Sequence, residues 1–116
     1  MHFKCALQVD LGVVKYVTKI ATQCRGNNPA HFNVHCVTSY TVHVKTSDAA
    51  TYTDVCGTDI SCPQLFTGNS YTGNRDTVVT NEFDWPIAAR FVRVYPQSWL
   101  NWVAVRWEVY GCDSLN

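Results

Sequence analysis

The sequence predicts an all-β fold in which short antiparallel strands build a sandwich or barrel. Three observations predict it. Apolar and polar residues alternate with period two in several segments, the pattern of half-buried strands. Aromatic and β-branched residues dominate those segments. Turn-forming residues separate them, and no segment carries a helical period.

Leu7 to Leu11 and Val13 to Thr22 read as two early strands around Gly12. From Thr38 to Thr46, Tyr40, Val42 and Val44 are expected to face inward, and Ser39, Thr41, His43 and Lys45 outward. Thr77 to Phe83 is a further strand. Asp84-Trp85-Pro86 is expected to break the chain after it, because Pro86 has no N–H for a ladder. In Arg90 to Tyr95, Val92 and Val94 share one face, with Phe91, Arg93 and Tyr95 on the other. In Trp102 to Tyr110, Val103, Val105, Trp107 and Val109 oppose Ala104, Arg106 and Glu108. Turns cluster at Gly26 to Pro29, Ser47-Asp48, Gly57 to Asp59 and Gly68 to Asp76.

A chain of 116 residues makes a single domain, residues 1–116, and 47% apolar content is enough for a core. Nine basic residues balance nine acidic ones. That balance argues against nucleic-acid binding, which needs a basic footprint, and against adsorption to anionic membranes by bulk charge. No apolar run reaches the roughly 18 residues that suggest a membrane span. Six cysteines in so short a chain point to an oxidising compartment. The N-terminus MHFKCALQVDLG lacks the apolar stretch and cleavage site of a signal peptide. A piece of a longer secreted protein reconciles the two, and an extracellular location is the expectation.

Catalysis finds no motif: no nucleophile elbow, no HExxH, no phosphate loop and no paired carboxylates. No cofactor is expected. Cys24, His31, His35 and Cys36 contain an H-x3-H spacing inside a cysteine-bracketed loop, and zinc takes ligands of these types. Adjacent His35 and Cys36 point oppositely if extended, and the cysteine spacing is not that of a zinc knuckle. No metal site is therefore expected. Cys56 and Cys62 bracket a short loop that closes at little entropic cost. Cys24 and Cys36 stand at the ends of a predicted inter-strand loop, and a bond there would stiffen its base.

The order of motifs along the chain is informative. LQVDLG at Leu7 to Gly12, VTKIATQ at Val17 to Gln23, and VTSYTVHVKTSD at Val37 to Asp48 come first. FTGNS at Phe66 to Ser70, DTVVTNEF at Asp76 to Phe83, PIAARFVRVYPQSW from Pro86, and VRWEVYGC ending at Cys112 follow. This ordered set resembles the discoidin family, the type C domain of coagulation factors V and VIII, over essentially the whole chain. The resemblance implies an antiparallel β-sandwich or jelly roll of the discoidin, galactose-binding-like type. It also implies a non-catalytic recognition and adhesion module whose ligand is held by loops at one end.

The chain departs from the family pattern. Only six residues precede LQVDLG, where the family has a Cys-bearing strand and a first spike loop, so the domain is expected to be N-terminally truncated. Ala6 replaces a frequent Trp, Cys24 replaces the Gly after ATQ, and there are extra cysteines. The family ties its first strand to its last. The resemblance therefore implies a Cys5–Cys112 bond; the alternative is that Cys112 pairs with a cysteine further upstream and Cys5 stays free. The family also implies structural roles for Arg90 and Arg93, through carboxylates such as Asp10 or Glu108, and a core position for Trp99, preferred to the other reading of the turn with Trp99, Asn101 and Trp102 as aromatics for a sugar face or lipid interface. Trp85 reads the same way.

The loop Arg25 to His35 corresponds to the family's second spike, and its candidate ligand residues are Arg25, Asn27, His31, Phe32 and His35. Phe32 at a loop tip offers an apolar wedge; the competing reading folds it back against the sandwich edge. Asn69, in a polar Gly-rich stretch, is a further candidate beside the plainer reading of a solvated loop. The expected partners are a cell-surface glycan, a phospholipid, or a matrix or receptor protein, with neutral charge and polar, aromatic loops favouring glycan or protein. The rival reading is a targeting appendage, a carbohydrate-binding module of a secreted enzyme. A further rival is a structural partner that pairs through an exposed sheet edge.

Overall fold

The computed structural model describes residues 6–26, 33–59 and 61–114. The described residues form six strands and no helix: β1 (Leu7–Cys24), β2 (Cys36–Lys45), β3 (Thr53–Asp54), β4 (Phe66–Thr67), β5 (Val79–Leu100) and β6 (Val105–Cys112). Pairing follows the order β3-β2-β5-β1-β6, with β4 added to β2, and every pairing is antiparallel.

The two longest strands each serve both layers of a sandwich. The first part of β1 pairs with the second part of β5, from Leu7↔Val94 to Asp10↔Phe91, and that part of β5 continues its ladder with β2. The second part of β1, from Lys19 to Thr22, lies between the start of β5 and β6. Strands change layer where the register shifts, between Asp10 and Lys15 and between Val17 and Lys19. Bulges bend a strand and turn sandwich corners in this way. Gly12 sits in the first corner with φ 86°, a conformation that costs a residue with a Cβ. The Asp10 carboxylate accepts the Gly12 N–H at 2.8 Å and fixes the bend.

These corners correct two boundaries. The two early strands around Gly12 are one strand with a bulge. The expected break at Asp84-Trp85-Pro86 is a corner within β5, where residues 83–86 lie outside the β1 register. Pro86 is tolerated because no ladder partner needs its missing N–H. It also leaves Trp85 exposed rather than in the core.

The core lies between the layers. Val17 and Ile20 of β1 meet Val37, Tyr40, Val42 and Val44 of β2 and Val92 and Val94 of β5. The inward set read from alternation in β2 is fully buried. Each such aliphatic side chain contributes about 1.5–3 kcal/mol. Phe66 stacks on Tyr40 with ring centroids 5.6 Å apart and meets Phe83 at 5.7 Å. Asn81 donates to the Tyr40 hydroxyl, and burial raises the Tyr40 phenol above its ordinary pKa. The outer face is not simply solvated: Thr41 and Phe91 are buried there. Arg93 stacks 3.9 Å over the Tyr52 ring, and Lys45 lies over Tyr52 and Phe91.

Arg90 pairs with Asp10, as expected. Arg93 instead donates twice to the Gln8 side-chain oxygen and once to the Tyr95 hydroxyl, because its ladder neighbours carry no carboxylate within reach. One flank of the sandwich is open. There Gln8, Val9 and Leu11 face Trp107, Glu108 and Val109 across a cleft of about 370 Å³.

Candidate functional site

One rim of the sandwich gathers three connections. β1 ends there at Cys24, opposite Val105, and β2 begins there at Cys36, opposite Leu100. A disulfide joins Cys24 to Cys36, so it ties one layer to the other. The residues between Leu100 and Val105 make a second link between layers at the same rim. The segment 68–77 makes the third side.

Arg106 and Asn69 hold this rim together. The Arg106 guanidinium donates to the Cys24 carbonyl at 2.8 Å, to the Arg75 carbonyl at 3.1 Å and to the Asp76 carboxylate at 2.6 Å. Gln23 donates to the Asp76 carbonyl beside it. Asn69 is only 2% exposed. Its side-chain oxygen accepts from the Thr22 hydroxyl at 2.7 Å, and its amide donates to the Thr77 carbonyl at 2.9 Å. The backbone of Gly68 and Asn69 donates to Thr38 and Val37 of β2. A Cβ at Gly68 would collide with the Val37 carbonyl, so this approach requires glycine. Asn69, one of the candidate ligand residues, thus has both its polar groups engaged internally beneath the rim.

Of the other candidate ligand residues, Arg25 and His35 come together. Their backbones pair, Arg25 N–H to His35 carbonyl at 2.9 Å, and the Arg25 guanidinium lies 3.3 Å from His35 Nδ1. Asn27, His31 and Phe32 lie outside the described residues. The zinc alternative loses its thiolates, since Cys24 and Cys36 are bonded to each other.

Exposed apolar surface at the rim comes from the end of β5 and the turn after it. Trp99 is 49% exposed, Leu100 38% and Trp102 63%. A core position was expected for Trp99. Two register shifts in the β2–β5 ladder, between Val37 and Ser39 and between Ser39 and Tyr40, re-aim the end of β5 and overturn it. The motif SWLNW carried the signal, two tryptophans flanking Leu-Asn between strands. The bridging role of Arg106 had none, because an outward residue on an edge strand reads as solvated.

The second disulfide is Cys56–Cys62. Cys112 carries an exposed free thiol, which corrects the Cys5–Cys112 pairing. Cys112 stands opposite Tyr16. The Leu7↔Val94 and Tyr16↔Ala88 rungs lie six residues apart on β5, about 20 Å. Cys5 itself lies outside the described residues.

The described residues thus form a helix-free sandwich whose layers are tied by a disulfide and whose connections gather at one rim, an architecture that suits a binding module. The chain belongs to the F5/8 type C domain family, whose model matches residues 4–109. Relatives include neuropilin-1 of Gallus gallus, 38% identical over 91% of this chain and 11% of its own length. The venom prothrombin activator pseutarin-C non-catalytic subunit of Pseudonaja textilis is 33% identical over 92% of this chain and 7% of its own length. Among solved structures, discoidin II of Dictyostelium discoideum superposes with a TM-score of 0.72 at 27% identity, covering 91% of this chain and 36% of that one. The chain therefore spans about a tenth or less of these two curated relatives.

Proposed function

We propose that this domain recognises a cell-surface glycan at an extracellular surface, through the rim that carries the Cys24–Cys36 disulfide. One observation carries the reading: Trp99 and Trp102 are exposed at the rim where Arg25 and His35 pair. Indole faces stack on the apolar face of a sugar, and a few convergent polar groups orient its hydroxyls. Asn27, His31 and Phe32 belong to the same site in this reading, and Asn69 supports it from beneath. The domain works as one part of a larger extracellular protein, whose other parts set where it acts.

A second reading rests on Leu100, which is exposed between the two tryptophans. An apolar tip of this kind enters the interface of a bilayer, with the headgroup bound by polar neighbours.

The test is binding of the chain and its Trp102→Ala variant to immobilised glycans and to phosphatidylcholine/phosphatidylserine vesicles, after folding is verified. The glycan reading expects binding to a sugar, weakened about 10-fold by the substitution, the effect of roughly 1.4 kcal/mol. Vesicle binding without sugar binding would replace it with the lipid reading. A folded chain that binds neither would point to a protein partner.

A further inference from the structure

We propose that Asn101 is a positioning residue that holds the two-tryptophan tip in its binding arrangement, an assignment that rests on the glycan reading above. Two exposed indoles have little packing to hold them, so the backbone between them must do so. Asn101 has φ 62°, and it is the one non-glycine residue with positive φ among the described residues. The Trp102 N–H donates to the Leu100 carbonyl at 2.7 Å, which closes a three-residue turn around Asn101. The next link is equally short, Ala104 N–H to the Trp102 carbonyl at 3.0 Å.

A residue in this region costs free energy, and such outliers persist only where the surroundings over-determine them. Asparagine is among the few residues that tolerate it. Glycine would relieve the backbone more fully, but it has no side chain. Asn101 uses its side chain: the amide donates to the Val34 carbonyl at 2.8 Å. Val34 lies two residues before Cys36, which is bonded to Cys24. The tip is thus tethered to the rigid base of the rim. A platform held before the ligand arrives loses less ordering entropy on binding.

Two variants of the full chain separate backbone from side chain. Asn101→Gly keeps the left-handed turn and removes the tether; Asn101→Ala removes the tether and strains the turn. Order at the Trp102 amide and the indole N–H groups is followed by ¹⁵N relaxation without ligand, and affinity by retention on immobilised galactose. The expected result is a Trp102 amide as ordered as the strands in the parent chain. That order is lost in Asn101→Gly, with galactose affinity about 5-fold lower, the effect of one hydrogen bond. The thermal midpoint should fall by no more than about 6 °C, the scale of one hydrogen bond in a domain of this size. Asn101→Ala should lose more affinity than Asn101→Gly. Unchanged order in Asn101→Gly would overturn the proposal, as would a larger midpoint drop, which assigns Asn101 to the fold. If the parent chain ignores galactose, the glycan reading fails there, and the relaxation data still decide the role of Asn101.

Discussion

Thr22 and Asn69, 47 residues apart in sequence, share a buried hydrogen bond of 2.7 Å. Thr22 lies near the end of β1, and Asn69 opens the segment that leads to β5. Their bond, with the Asn69 amide on Thr77, fixes one wall of the rim from inside. Asn69→Ala would leave the Thr22 hydroxyl and the Thr77 carbonyl without these partners. The expected cost is about 1–3 kcal/mol, read by urea unfolding. Affinity, corrected for the fraction folded, should stay close to that of the parent. Full stability with lost binding would return Asn69 to the ligand surface.

The Cys24–Cys36 bond closes a loop of sequence separation 12 and links the two layers. By the chain-entropy estimate its removal costs about 3 kcal/mol. Cys24→Ala/Cys36→Ala should therefore melt well below the parent, by several degrees or more for a domain of this size. An unchanged melting temperature would mean that β-pairing alone holds the rim. Because Arg25 and His35 flank the two cysteines, binding should weaken even at temperatures where the variant is folded.

Much of the fold was legible because the inward set of a strand follows period two where it stays within one layer, although Thr41 and Phe91 are buried on the other face as well. Tyr40, Val42 and Val44, and Val92 and Val94, obey it. The reading fails where a strand changes layer. A register shift has no composition of its own: Gly12 marks one corner, yet it looks like an ordinary strand end, and Pro86 looks like a break. Trp99 was misplaced for the same reason, since the two shifts beside it, one with its extra residue on β2 and one on β5, leave no mark in the local pattern. The rim was visible in outline from its loops. The grip of Arg106 on Cys24 and Asp76 spans 82 and 30 residues, and no local pattern encodes such contacts.

Acid should weaken the fold through Asp10. The Arg90 hydrogen bond, followed by the Gly12 N–H, holds its carboxyl below the ordinary carboxylate value. Asp59, bonded to Ser61, and Asp113, bonded to Lys15, shift the same way. A carboxylate depressed in the folded state binds its proton more readily when unfolded. Its stabilisation is therefore present above the unfolded value, about pH 4, and is lost as pH falls through the folded one. Thermal midpoints of the parent and Asp10→Asn, measured from pH 6 to pH 2, should differ most near neutrality and converge in acid. A constant difference across that range would show that Asp10 contributes through shape and not through charge.

Cys112 ends β6 with its thiol exposed. Iodoacetamide should therefore label one cysteine of the residues described, Cys112, in the folded chain without reductant, as peptide mapping would read. Both disulfides should survive the reaction. Cys112→Ser should leave the melting temperature within about 1 °C of the parent, as expected for an exposed position that is bonded to none of the described cysteines. Protection of Cys112 in the native protein, with labelling only after reduction, would show that it is bonded.

Phe32→Ala tests the loop that the sequence put forward as the second spike. If Phe32 is a wedge into the ligand, its removal lowers affinity and leaves stability within about 0.5 kcal/mol of the parent, as for other surface positions. If it folds back on the sandwich, truncation costs about 3–5 kcal/mol, as for a buried aromatic, and affinity falls only with the folded fraction. Combining it with Trp102→Ala distinguishes one site from two. Side chains that contact the same ligand give non-additive losses, whereas separate surfaces give losses that add within about 0.5 kcal/mol. Additivity in that double variant would divide the loop from the tryptophan tip and remove Phe32 from the site proposed here.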